Sequence, residues 1–331
     1  MHNFALTPYF HPTTVCFVDD NASFLRSLEL EMPRSWACRL FTDPHEALEF
    51  LETPPQLPPL MDRCFTMQRT SSEAIIRLDL DLIEQEINHV GRFHRNSVVV
   101  VDYSMPSLNG LDFCAALTDA NLRKAMLTGV ADEKLAVAAF NAGLLHRFFP
   151  KHSGQSISDI FDFVDSLQQE YFGQYSARLK TALSIDPPKF LTDQTIARYV
   201  TDLMQRERLI EYYLAGDPPG LLMLNSSGKI WRLVILDERE MAAQADFAAR
   251  HSAPESLISS LRSGKRVTCL TGDTPDNYFG DESFDWFDKI LNGKKIDGDT
   301  GTYFIGIWRD MPGDIDYDPQ AASYDAYLAT L

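Results

Sequence analysis

Four short apolar runs in the first half of this 331-residue chain each lead to a side chain that holds charge or donates a hydrogen bond. Residues 15–18 (VCFV) end at Asp19 and Asp20, and residues 98–101 (VVVV) end at Asp102. Residues 125–127 (AML) end at Thr128, and residues 147–149 (RFF) end near Lys151. In an open parallel α/β sheet, sites form beyond the carboxyl ends of the strands, so all of these side chains would meet there. Three carboxylates in one cleft repel one another unless a cation lies among them. Oxygen ligands suit a hard divalent ion, and Mg2+ takes few carboxylates and keeps several waters. An ammonium and a hydroxyl beside it hold phosphoryl oxygens. Asp102 would then be a nucleophile that forms an acyl phosphate. Mg2+ and Lys151 would neutralise the charge that builds up during in-line transfer.

The elements that must position these groups are legible. Asn21 is a good helix N-cap, and Phe24, Leu25, Leu28 and Met32 follow it at helical spacing. A second strand is expected over 38–41, a second helix over 44–51, and a further helix over 132–141. Continuous β-branched runs without alternation indicate strands buried on both faces. Strands separated by helices indicate a doubly wound sheet. The expected fold class is therefore α/β, with a five-stranded parallel sheet in the order 2-1-3-4-5 and a helical insertion, followed by a C-terminal α+β domain. The insertion, residues 53–95, opens with the Pro-rich TPPQLPP. A helix is expected over about 71–93, because Ile76, Leu80, Ile83, Ile87 and Val90 step by alternating fours and threes. That stripe fits a surface helix packed on its own domain, or a partner or dimerisation helix.

CFVDDN, VVVVDYSMPSLNGLDFC, MLTG and FFPKH, in this order, resemble the CheY-like receiver domain of two-component response regulators over about residues 13–167. The resemblance implies that Asp102 is the phosphoacceptor, Asp20 the direct Mg2+ ligand and Asp19 its partner, with the Ser104 backbone carbonyl on the metal. It makes Thr128 the switch hydroxyl, Phe148 the switch aromatic and Lys151 the phosphate lysine. Met105, Pro106 and Gly110 match the turn after the phosphoacceptor. Phosphorylation adds a charge of about −2 and three acceptor oxygens. Thr128 would rotate to donate to one of them, and Phe148 would turn into the vacated space. Two departures stand out. Pro150 precedes Lys151 where the family has the reverse order, and the spacing from Gly143 to Lys151 is one residue longer than is common. His146 and His152 read as loop residues rather than ligands.

The domain plan is an extension over 1–12, a receiver over 13–170, an extended last helix and connector over 156–186, and an output domain over 187–331. The prolines after Asp186 end the long helix. In the output half, a helix is expected over 194–214, a hairpin over 220–236 turning at Asn225–Gly228, and helices over 238–250 and 254–262. Strands are expected over 267–270 and 302–308, an acidic loop and helix over 273–292, and an irregular tail from Met311. This half has no Walker loop and no GxSxG. Asp297 to Gly301 resembles the start of a Ca2+ loop, but Trp308 stands where that loop needs a glutamate. Asp273, Asp276, Tyr278, Asp281, Asp285 and Trp286 form the site-like stretch, read first as a solvated loop. The layout as a whole resembles the Legionella-type quorum-sensing response regulators.

Bulk properties narrow the partners. Asp and Glu number 47 against 30 Lys and Arg, a net charge of −17. Such a chain is poorly suited to gripping phosphate backbones or anionic lipid. Only a local basic stripe, Arg262, Lys265 and Arg266, runs the other way. The five cysteines form no CxxC pair, and reduced thiols point to the cytosol. No signal peptide or membrane-spanning run is evident. The expectation is a cytoplasmic response regulator with Mg2+ as cofactor. A sensor histidine kinase or phosphotransfer protein would phosphorylate it, and phosphorylation would switch homodimerisation or output contacts. The alternatives are a phosphorylation-regulated enzyme with an unfamiliar C-terminal catalytic domain, or a transcription regulator.

Overall fold

The structure, a computed structural model, describes residues 5–55, 57–69, 74–129, 133–151, 157–181, 188–269, 289–309 and 317–331. Two compact units divide the chain, and neither is contiguous. One comprises Pro12–Pro58, Val90–Ala177 and Tyr327–Leu331; the other comprises Met1–His11, Pro59–His89 and Arg178–Ala326.

The first described strand, β1 (Tyr9–Phe10), belongs to the second unit. The first unit starts with β2 (Thr14–Val18), α1 (Ala22–Glu31), β3 (Ala37–Phe41) and α2 (Pro44–Glu52). The chain then leaves it for α3 (Leu60–Arg63), β4 (Phe65–Arg69), β5 (Ala74–Leu78) and α4 (Leu80–Gln85) of the second unit. It returns with β6 (Asn96–Asp102), α5 (Gly110–Ala116), β7 (Arg123–Thr128), α6 (Glu133–Asn141), β8 (Arg147–Pro150) and α7 (Ile157–Thr181).

The five strands of this unit are parallel and lie in the order β3-β2-β6-β7-β8. Alternate residues of each strand serve opposite faces. Cys16, Val18, Val99, Val101 and Met126 pack with Phe113, Ala136 and Ala139 on one side. Val15, Phe17, Val98, Val100 and Leu127 pack with Leu25, Leu28, Ile160 and Val164 on the other. This explains the unbroken apolar runs. Each fully buried valine is worth roughly 1.5–3 kcal/mol. The helices start where the sequence provides caps: Asn21 accepts from the Ser23 and Phe24 amides, and Asp43 from His45. Such a cap is worth about 1 kcal/mol.

The second unit continues with α8 (Gln194–Glu207), β9 (Leu209–Ala215), β10 (Gly220–Asn225) and β11 (Ile230–Asp237). Next come α9 (Glu238–Arg250), α10 (Glu255–Arg262), β12 (Arg266–Thr268), β13 (Ile290–Asp297) and β14 (Thr302–Arg309). Two short helices, α11 (Pro319–Ala322) and α12 (Tyr324–Leu328), close the chain. The sheet has seven strands in the order β1-β9-β10-β11-β14-β13-β12, and the pairings are antiparallel.

Several expectations need correction. The helix over 71–93 is a hairpin followed by a short helix: Ile76 lies in β5, and Leu80 and Ile83 lie in α4. Ile87 and Val90 fall in separate 3-10 turns. Asp79 is the reason, since its carboxylate caps α4 and its amide donates to the Cys64 carbonyl, closing the hairpin. Ile83 and Ile87 are fully buried, so these two residues of the stripe are not open to a partner. The insertion also clusters with the output sheet rather than with the receiver-like sheet. Glu84 pairs with the buried Arg232 at 3.2 Å and accepts from the Gly216 amide at 3.2 Å. The residues expected as an N-terminal extension supply β1, with Tyr9 opposite Tyr213.

The helix expected over 194–214 stops at Glu207. Arg208 adopts a left-handed conformation (φ 54°), and the apolar run after it is β9. The latter part of the helix expected within 273–292 is the start of β13 instead. The tail from Pro319 is helical, with Tyr324 and Tyr327 buried. Residues 71–73, His152, the end of the long helix near 183–187, and the stretch from Asp273 to Trp286 lie outside the described residues.

Candidate functional site

The site is built by strand register. Val18 pairs with Val101, Asp102 with Leu127, and Thr128 with Pro150. The side chains just beyond these rungs share one end of the sheet. Carboxylate oxygens of Asp19, Asp20 and Asp102 lie within 4.8 Å of one another. Lys151 Nζ lies 2.6 Å from Asp19 Oδ2 and 2.7 Å from Asp102 Oδ1. Asp19 is 1% exposed and Asp102 6%, whereas Asp20 faces solvent. Thr128 is 0% exposed, and its hydroxyl has no hydrogen-bond partner among the described residues.

Local chemistry holds each group. The Asn21 amide donates to Asp19 Oδ1 at 2.9 Å, and the Ser104 amide donates to Asp102 Oδ2 at 3.2 Å. Gly110 closes the loop after Asp102. A Cβ there would lie 2.4 Å from the Asp102 carbonyl oxygen, so no other residue fits without a backbone shift. Met105 anchors the same loop in the core, whereas Pro106 is exposed. Pro150 ends β8, and the Lys151 amide donates to the Thr128 carbonyl at 2.8 Å. The reversed Pro-Lys order therefore still delivers the ammonium to the carboxylates. The Phe24 ring lies 4.9 Å from Lys151 Nζ. Phe148 is half-buried against the cluster of Val18, Val101 and Ala136.

The electrostatics are unbalanced. Burial pushes the Asp19 carboxyl above its usual range, against the pull of Lys151. Burial alone would lower the Lys151 ammonium, but its hydrogen bonds to Asp102 and Asp19 outweigh that and raise it. One ammonium thus lies against two carboxylates, those of Asp19 and Asp102, with that of Asp20 close by. An all-oxygen donor set with excess negative charge suits a hard divalent cation such as Mg2+. The Thr128 hydroxyl, without a partner among the described residues, is a donor available to a phosphoryl oxygen. His146 stands apart from the cluster: its Nδ1 accepts from the Lys124 amide, and burial lowers its pKa to about 4.

The structure brings together the expected residues Asp19, Asp20, Asp102, Thr128 and Lys151. Sequence reasoning missed the contact of Phe24 with the lysine, whose only signal was its place one turn into the helix after the acidic pair. The Asp297–Gly301 stretch is a turn pinned by Asp193, which accepts from the Thr300 amide and hydroxyl. Among the described residues, the one group of carboxylates able to hold a metal is Asp19, Asp20 and Asp102.

No family model matches the chain, and no curated protein matches it in sequence. Among solved structures, the response regulator LqsR of Legionella pneumophila is similar over 99% of this chain and 97% of its own, with a TM-score of 0.80 and 31% identity. A CheY-like receiver from Methanospirillum hungatei covers 48% of this chain and 96% of its own, at 16% identity and a TM-score of 0.32. The receiver of a Francisella response regulator covers 48% and 98%, again at 16% and 0.32. Those two scores are too low to bear on the whole chain. The match to LqsR extends over both units, and on that likeness this chain belongs to the response regulators.

Proposed function

We propose that this response regulator is switched by transfer of a phosphoryl group to Asp102 from a sensor histidine kinase or a phosphotransfer protein. One observation carries the reading: Lys151 bridges Asp19 and Asp102 at the strand end that also carries the buried Thr128 hydroxyl, which has no partner among the described residues. A carboxylate oxygen of Asp102 attacks phosphorus in line, and the bond from phosphorus to the donor nitrogen breaks, leaving its electron pair on that nitrogen. Lys151 neutralises charge on the phosphoryl oxygens. Thr128 donates to one of them. Phe148 then moves against the core cluster it already touches. Asp19, Asp20, Asp102 and the Ser104 carbonyl would hold Mg2+, which when bound adds positive charge beside the transferring group.

The output reading is a contact change between proteins rather than grip on nucleic acid. The net charge of −17 supports this. Leu135, Val137 and Phe140 on α6 are exposed apolar side chains and support a homodimer surface. The likeness to LqsR and the shared layout support a role in quorum-sensing signalling. The five free cysteines suit a reducing cytoplasm, and none of the described helices is long and apolar enough to cross a membrane.

The test is incubation with acetyl phosphate and Mg2+. One phosphoryl group is expected by mass, and none in Asp102→Asn. Labelling that persists in Asp102→Asn would refute the assignment. Sizing before and after labelling tests the dimer, which is refuted if the labelled protein stays monomeric.

A further inference from the structure

The strands that carry the acidic site are tied together at their other ends, far from the chemistry. Thr14 pairs with Asn96, but the next rung joins Val15 to Val98, so Ser97 is an extra residue bulged out of β6. The bulge sets the count. Beyond it, Val18 meets Val101, which brings Asp19 level with Asp102. Had the first rung's offset continued, Asp20 would stand level with Asp102 instead.

A buried polar knot surrounds the bulge. Thr13 Oγ1 and Ser97 Oγ are 2.6 Å apart, and Gln168 Nε2 donates to Thr13 Oγ1 at 3.0 Å. The Thr14 amide donates to the Arg95 carbonyl at 2.8 Å, and its hydroxyl donates to the Phe93 carbonyl at 2.9 Å. The same hydroxyl lies 2.8 Å from Tyr327 Oη, from the last helix of the chain. The Tyr327 ring stacks on Phe93, with centroids 5.6 Å apart, and meets the His94 ring edge-on at 4.6 Å. Thr13, Thr14, Ser97 and Tyr327 are all no more than 2% exposed.

We infer that this knot is a distal positioning element for phosphoryl transfer: it removes axial slack between β2 and β6 and so sets the distance between Asp19 and Asp102. The apolar faces of the strands already exclude a full one-residue slip, because a slip would turn every side chain to the wrong side. They do not stop small sliding of one strand along the other. The Thr13–Ser97 bond across the bulge and the Thr14 bond to the Phe93 carbonyl do, because each has a short optimal distance. The lever is about 17 Å long, five residues at roughly 3.3 Å each. Near-attack geometry is steep enough that sub-ångström errors cost rate. Tyr327 makes the last helix part of this distal device, through its contact with the Thr14 hydroxyl.

This inference rests on Asp102 as phosphoacceptor, and the experiment separates the two. Full-length Thr13→Val, Ser97→Ala and Tyr327→Phe each remove one hydroxyl; Thr13→Ser keeps it. Labelling by acetyl phosphate, Mg2+ binding by calorimetry and thermal melting are measured on each. The three hydroxyl-less variants are expected to label about tenfold more slowly and bind Mg2+ more weakly. Thr13→Ser is expected to stay within about twofold of the parent on both readouts. If the hydroxyl-less variants label and bind Mg2+ like the parent while melting lower, the knot is structural only and the inference fails. Labelling of Asp102→Asn overturns the phosphoacceptor assignment instead, and Mg2+ affinity then still decides the knot. If Thr13→Val does not fold, Ser97→Ala and Tyr327→Phe decide.

Discussion

The two units handle buried charge in opposite ways. In the parallel sheet, Asp19 and Asp102 sit almost fully buried at strand ends with one ammonium between them, and Thr128 has no partner among the described residues. In the antiparallel sheet, Arg232 is 2% exposed, pairs with Glu84 and donates to the Pro218 carbonyl at 2.8 Å. Asp193 accepts from four donors of α8 and the Thr300 turn, which together hold its carboxyl below the usual range despite the opposing effect of burial. The first arrangement is unbalanced in charge, with one ammonium shared by two buried carboxylates. The second is balanced in charge, one guanidinium to one carboxylate, although Arg232 Nε has no hydrogen-bond partner among the described residues. Burial of charge alone does not mark a candidate site; an imbalance of charge does.

Substitutions can break or sharpen that contrast. The largest effect is expected from Gly110→Ala, whose Cβ would meet the Asp102 carbonyl oxygen at 2.4 Å. A cost of about 3 kcal/mol in chemical denaturation is expected, with labelling lost, because the loop that orients Asp102 must move. Next comes Glu84→Gln, which leaves the Arg232 guanidinium buried without its counter-ion. Urea unfolding should show a loss of about 2–3 kcal/mol, with acetyl phosphate labelling unchanged. An unchanged midpoint would place this pair with the dispensable surface ones.

The same carboxylate-to-amide change at Asp19 should have the opposite sign. Its folded pKa is raised, chiefly by burial, so the stability it contributes is present below its ordinary pKa and lost as pH rises through the folded value. Asp19→Asn should therefore be more stable than the parent at neutral pH, by on the order of 1 kcal/mol, while labelling falls. The gain should vanish near pH 3; a gain that does not depend on pH would contradict the electrostatic cause. The smallest effect is at His146. Its folded pKa is lowered to about 4, so its contribution is present above its ordinary pKa and lost as pH falls toward 4. Half-exposed and screened, it should be worth less than about 1 kcal/mol. Comparing melting of His146→Gln and the parent between pH 7 and 4.5 measures it.

Legibility followed the same divide. The parallel strands were readable because they are covered on both faces and carry continuous apolar runs, and their ends carry the residues of the candidate site. The insertion was not, because Ile76 to Val90 has helical spacing although Asp79 interrupts it with a cap. β9 was hidden because Leu209–Ala215 extends an amphipathic helix without a glycine or proline between them. Only the left-handed turn at Arg208 separates the two, and arginine does not advertise that conformation.

The order of residues alone therefore determined the doubly wound sheet, its strand-end chemistry and the acidic balance of the chain. Those follow from local periodicity and from side chains placed by strand ends, which need no knowledge of distant contacts. Tertiary structure decided which segments share a unit, that Glu84 answers Arg232, and that Ser97 and Tyr327 meet Thr13 and Thr14 behind the acidic site. Those pairings join residues up to 313 positions apart, and only the closing of both sheets brings them within hydrogen-bond range.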